Sequence, residues 1–108
     1  MPERSSLLYI SDIIDSAEAI FSYTEDVDFS RFSNDRMRYS AVIREFEIIG
    51  EAVSKLPEET KEIAPNVQWQ DIKDFRNLLV HEYFGIDLEI VWNVVKENLP
   101  DLYRAVLS

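Results

Sequence analysis

Arg76-Asn77-Leu78-Leu79-Val80-His81-Glu82-Tyr83 contains the only histidine of the chain, five residues after an arginine and two before a tyrosine. Histidine titrates near neutrality and passes protons in either direction, while arginine is a permanent, fork-shaped cation that matches a phosphate. A phenol can hydrogen-bond a phosphate or stack on an unpaired base. These are the groups that cleavage of an RNA phosphodiester calls for. In that chemistry His81 is the general base for a ribose 2′-hydroxyl, and the same residue of a second copy is the general acid. Arg76 neutralises the charge that builds on the phosphorus oxygens. Asn77, one turn from His81, fixes the imidazole tautomer or binds phosphate, and Tyr83 binds phosphate or stacks on a base. A lone histidine without close-spaced ligands gives no zinc or manganese site, and nothing in the pattern calls for a cofactor.

Each residue also has a plainer reading. A histidine near a helix C-terminus is favoured by the helix dipole. Arg76 can form a surface ion pair with Asp74 or Glu82, and Tyr83 and Phe84 can be core residues with a wet edge. Asp74 and Glu82 also put two acids near any phosphate bound there. Arginine and histidine at this spacing arise by chance in many proteins. Asn77 tips the balance slightly toward a site, because asparagine is a poor residue for the middle of a helix.

The chain has 108 residues, 46% of them hydrophobic and 30% charged, which describes one ordinary globular domain spanning 1–108. That length is too short to enclose a deep cleft, so a site shared between two copies is expected. With 11 Lys+Arg against 21 Asp+Glu, the net charge of -10 argues against an extended basic surface that tracks nucleic acid. Phosphate contact must be local, or the chain must dock a basic partner. The absence of cysteine suits a reducing cytosol, and the apolar run Leu7-Leu8-Tyr9-Ile10 is too short for a signal peptide or membrane span. The expected location is the cytoplasm, with no membrane association.

Only two glycines and four prolines interrupt the chain, which favours long helices. Leu7, Ile10, Ile13, Ile14, Ala17, Ile20 and Phe21 recur at helical steps and predict a helix from Ser5 to Tyr23. Ser33 or Asn34 is the expected cap of a second long helix, with Met37, Val42, Phe46, Ile49 and Val53 on its buried side, closing near Leu56. Pro57-Glu58-Glu59-Thr60 opens a short third helix that Pro65-Asn66 ends. A fourth runs from Trp69 to Phe84 with Gly85 as its C-terminal cap. Asp87 caps a fifth, striped by Leu88, Val91, Trp92, Val95 and Leu99, until Pro100 kinks or restarts it toward Leu107. Trp69 and Trp92 read as packing anchors. The expected fold is all-α, an antiparallel bundle of four or five helices.

On the fourth helix each residue turns the chain by about 100°, so Asp74, Asn77 and His81 share one face and Arg76, Val80 and Tyr83 a neighbouring one. Arg76 and His81 then diverge by about 140° within one chain. Two copies related by a two-fold axis can bring both arginines and both histidines around one cleft, so a homodimer is expected.

Glu45-Phe46-Glu47-Ile48-Ile49-Gly50-Glu51-Ala52, then Val67-Gln68-Trp69-Gln70-Asp71-Ile72, then Arg76 to Asp87 and finally Val91-Trp92 resemble the HepT-type HEPN toxins in order and spacing, over residues 5 to 103. The run R-N-x-L-x-H-x-Y is far more specific than the arginine and histidine alone. The resemblance implies a metal-independent endoribonuclease, the toxin of a toxin-antitoxin pair, built as an all-helical homodimer whose motifs meet at one cleft. It places Arg76, His81 and Tyr83 in that motif, with Asn77 as the polar residue after the arginine. It also implies a minimal nucleotidyltransferase antitoxin of the MntA type, which can modify Tyr83 with AMP and so put negative charge where the RNA phosphate sits. Another reading within the same resemblance is a non-catalytic module that docks onto a nucleotidyltransferase and assists or regulates it.

Overall fold

The computed structural model describes residues 5–81 and 85–107, and among these every regular element is a helix. Helix α1 (Ser6–Thr24) begins where the Ser5 hydroxyl accepts from the Leu7 amide at 3.2 Å. It ends in a turn that holds Asp26 at φ 57°, a left-handed conformation that aspartate tolerates better than most residues. A short helix α2 (Phe29–Ser33), which the sequence pattern does not announce, follows, capped by Asp28 through the Arg31 amide at 2.9 Å.

Helix α3 (Arg36–Lys55) is capped by Asp35, whose carboxylate accepts from the Arg38 amide at 3.1 Å. Ser33 and Asn34, the expected caps, instead bond back to the Ser30 carbonyl and close α2. Val42, Phe46, Ile49 and Val53 are buried as expected, but Met37 is 84% exposed. Its five-residue step from Val42 carries it about 140° off the buried stripe. Pro57 precedes the short α4 (Glu58–Lys61).

Helix α5 (Trp69–His81) packs chiefly on α3. The expected end of this helix at Phe84 falls on residues outside those described. Asp87 caps α6 (Leu88–Asn93) as expected, through the Glu89 amide at 2.9 Å. Ahead of Pro100, where the sequence predicts a kink or a restart, the chain passes through a π-helical segment (Val94–Asn98) and restarts as α7 (Leu99–Leu107). Proline lacks an amide hydrogen and its ring collides with the carbonyl four residues back. Widening the turn before it, so that the Leu99 amide bonds Val94 five residues back, lets the helix continue.

The core is formed where α1, α3 and the C-terminal helix meet, around Ile13, Ile20, Ile49, Val53, Val91 and Leu99. The Tyr103 hydroxyl donates to Glu18 at 2.7 Å and ties α7 to α1; that bond, more than burial or the nearby charge, holds the phenol pKa above its usual value. Both tryptophans are packing anchors. The Trp69 indole donates to the Lys61 and Ala64 carbonyls, and the Trp92 ring lies 5.0 Å from that of Phe32. No helix among the described residues is long and apolar enough to cross a membrane.

Phe32 is fully buried between Trp92 and Tyr39, so it pins the short α2 to the rest of the molecule. Phe32→Ala is expected to lower unfolding free energy by about 3–5 kcal/mol, measured by urea titration with an unchanged slope.

Candidate active site

Among the described residues, the site residues read from the sequence lie on α5. They occupy opposite sides of that helix. Ile72, Phe75 and Leu79 turn toward the protein, and Arg76 lies among them on the same side. Asp74, Asn77, Leu78 and His81 form the opposite, exposed face, with Leu78 42% exposed at its centre. The helix is regular through His81, so the expected divergence of about 140° between Arg76 and His81 stands. Tyr83 and Glu82 lie outside the described residues.

The arginine can sit on the packed side because of Gly50. A Cβ at that glycine would fall 2.2 Å from Arg76 Cβ and 2.3 Å from its Cγ, so the arginine stem occupies the space a side chain would take. The stem covers the α3 backbone and the guanidinium emerges at the rim, leaving the side chain 33% exposed. There Nη2 donates to Glu51 Oε2 at 3.1 Å and Nη1 to Asn77 Oδ1 at 3.2 Å. The Nε atom is buried and without a partner. Glu51 Oε1 also lies 3.9 Å from the Lys55 ammonium, so one carboxylate stands between two cations.

One reading from the sequence changes here. Arg76 pairs with Glu51, 25 residues away, and not with Asp74, which instead accepts from Gln70 at 2.9 Å. Asn77 shares a face with His81, and its Oδ1 accepts from the Arg76 guanidinium. Glu51 and Gly50 were missed as site residues. The available signal was a glycine in mid-helix, which has poor helix propensity and persists where another chain must come close.

An apolar groove of about 410 Å³ opens between α3, α5 and α7, floored by Phe46, Ile49, Phe75 and Leu102. Its charged side chains are Asp71 and Asp101, which disfavour an anion, whereas the rim around Arg76 carries a cation. Among the described residues, no three His, Asp or Glu side chains are grouped to hold a metal ion.

Residues 13–108 match the family model described as HepT-like, ribonuclease HepT-like. A Methanocaldococcus jannaschii protein described as a putative RNase is 40% identical over 106 residues, covering 98% of this chain and 97% of its own. A Thermococcus cleftensis protein described as a probable ribonuclease HepT is 38% identical over 100 residues, covering 93% and 91%. A Caldanaerobacter subterraneus protein described as a putative RNase is 35% identical over 98 residues, covering 91% and 88%. No solved structure matches the chain at a significant level.

Gly50→Ala places a methyl group against carbons anchored to the α5 backbone, so the two helices must separate. The variant is expected to lose about 1–3 kcal/mol by urea unfolding, because the overpacking outweighs the gain in helix propensity of about 1 kcal/mol. An increase in stability would contradict the close approach.

Proposed function

The chain belongs to the HepT-like ribonuclease family, and from that premise we propose that it is a metal-independent endoribonuclease, the toxin of a toxin-antitoxin pair acting in the cytoplasm. The observation that carries the proposal is the placement of Arg76 and His81 on opposite sides of one regular helix. A single chain does not turn both toward one phosphate. A second copy applied across the exposed face of Asn77, Leu78 and His81 supplies the missing partner, and the exposed Leu78 gives that contact an apolar centre. The catalytic site is therefore composite, with Arg76 and His81 drawn from both copies of a homodimer of single helical domains.

In this reading His81 removes the proton from a ribose 2′-hydroxyl, and the freed oxygen attacks the adjacent phosphorus. Negative charge accumulates on the non-bridging oxygens and the Arg76 guanidinium stabilises it through charge-assisted hydrogen bonds. The histidine of the other copy protonates the departing 5′-oxygen. The products are a 2′,3′-cyclic phosphate and a 5′-hydroxyl, and no step requires a metal. Asn77, bonded to the guanidinium, orients Arg76. Tyr83 binds the phosphate or stacks on a base, and is the position that a minimal nucleotidyltransferase antitoxin modifies with AMP. A phosphoester there adds charge and bulk where RNA must enter.

The net charge of -10 favours a second reading, a non-catalytic module that docks onto a nucleotidyltransferase. Cleavage of total RNA by the purified chain in EDTA separates the two. Arg76→Ala and His81→Ala are each expected to lower kcat/KM by at least about 100-fold, and the wild-type products to carry 2′,3′-cyclic phosphate ends. Wild-type protein that is free of adduct and cuts nothing would favour the docking module. Tyr83→Phe is expected to escape inhibition by the antitoxin while still cutting RNA, scored by growth of cells expressing both proteins; full neutralisation would point to occlusion instead.

A further inference from the structure

We propose that Glu51 is a positioning residue that holds the Arg76 guanidinium in one orientation for an RNA phosphate; this rests on the reading of Arg76 as the phosphate ligand. A long arginine side chain at a protein rim samples many rotamers, and ordering it during the reaction would oppose catalysis. Here three contacts order it beforehand. The stem lies on Gly50, Nη2 donates to Glu51 at 3.1 Å, and Nη1 donates to Asn77 at 3.2 Å. Glu51 and Asn77 sit on different helices, so the guanidinium is tethered from both sides of the α3–α5 contact.

The donor count shows what is left for a substrate. A guanidinium has five N–H groups. Nε is buried, and one hydrogen on each Nη is committed to Glu51 or Asn77, which leaves one on each Nη for two phosphate oxygens. A carboxylate beside a phosphate would normally repel it. Glu51 avoids this because Lys55 lies 3.9 Å from its other oxygen, so the Lys55–Glu51–Arg76 group carries net positive charge in an otherwise acidic chain. Glu51 is half exposed, and ion pairs so exposed contribute little to stability, so its removal should leave the fold intact.

The test uses Glu51→Ala and Glu51→Gln in the full chain with two independent readouts. The first is nitrogen-detected NMR of the Arg76 guanidinium without RNA, assigned with Arg76→Lys. Distinct, slowly exchanging Nη signals are expected in wild type, averaged signals in Glu51→Ala, and retained signals in Glu51→Gln, whose amide oxygen still accepts. The second is RNA cleavage. Glu51→Ala is expected to lower kcat by roughly 10- to 100-fold with little change in melting temperature, and Glu51→Gln to recover most of it. In an Arg76→Lys background the loss from Glu51→Ala should nearly vanish, because the residue acts through the guanidinium. Arg76 signals unchanged in Glu51→Ala, or a full loss persisting in the Arg76→Lys background, would overturn the positioning role. Arg76 signals that depend on Glu51 in a wild-type protein that cuts no RNA would instead overturn the ribonuclease reading, and with it the catalytic purpose of the clamp.

Discussion

The close approach of α3 and α5 at Gly50 is the constraint on which the site depends. With any other residue there, carbon atoms would stand little more than 2 Å from the Arg76 stem, well inside contact distance. Because glycine leaves that space open, the arginine runs between two helices and presents only its head at the rim. The same approach brings Glu51 within reach of the guanidinium and sets the edge-on contact of Phe46 with Phe75 at 5.2 Å. Packing and site geometry are therefore one arrangement, and a change that separates the helices alters both.

Electrostatics follow from this placement. In a chain of net charge -10, a cation can bind a phosphate only where local partners order it and offset the surrounding acids. Along the α3–α5 rim Lys55 and Arg76 flank the Glu51 carboxylate and Asn77 accepts from the guanidinium, while the charged side chains of the nearby apolar groove are Asp71 and Asp101. The exposed side of α5 offers the complementary element. It carries His81 beside a half-exposed leucine, on a helix whose main packing partner is α3, and so leaves a surface that a second copy can cover.

Family membership and site geometry contribute different things. Similarity across nearly the whole chain establishes the HepT-like ribonuclease family. It does not by itself explain how one histidine and one arginine, on opposite sides of a helix, would act on the same bond. The proposed composite dimer would answer that physical difficulty. In that proposal the positive charge need exist only where two copies meet, so a small and acidic chain would need no extended basic surface.

The sequence by itself determined the helical fold and singled out the stretch proposed to bear the chemistry. Apolar spacing placed α1, α3, the start of α5 and the C-terminal helix within a residue or two, and Asp87 declared its cap, because amphipathic periodicity and capping act over neighbouring residues. The divergence of Arg76 and His81 was legible for the same reason, since it follows from helical pitch alone. Tertiary structure decided the rest. The α2 helix depends on Phe32 packing against Trp92, a contact between residues 60 apart, and it displaced the expected caps Ser33 and Asn34 in favour of Asp35. A π turn ahead of Pro100 lets the helix restart as α7, whose Leu99 and Leu102 are buried in the core. Above all, the pairing of Arg76 with Glu51 rather than Asp74 depends on which helices touch and how closely. Only the folded chain decides that, because the contact joins residues 25 apart through the space left by one absent side chain.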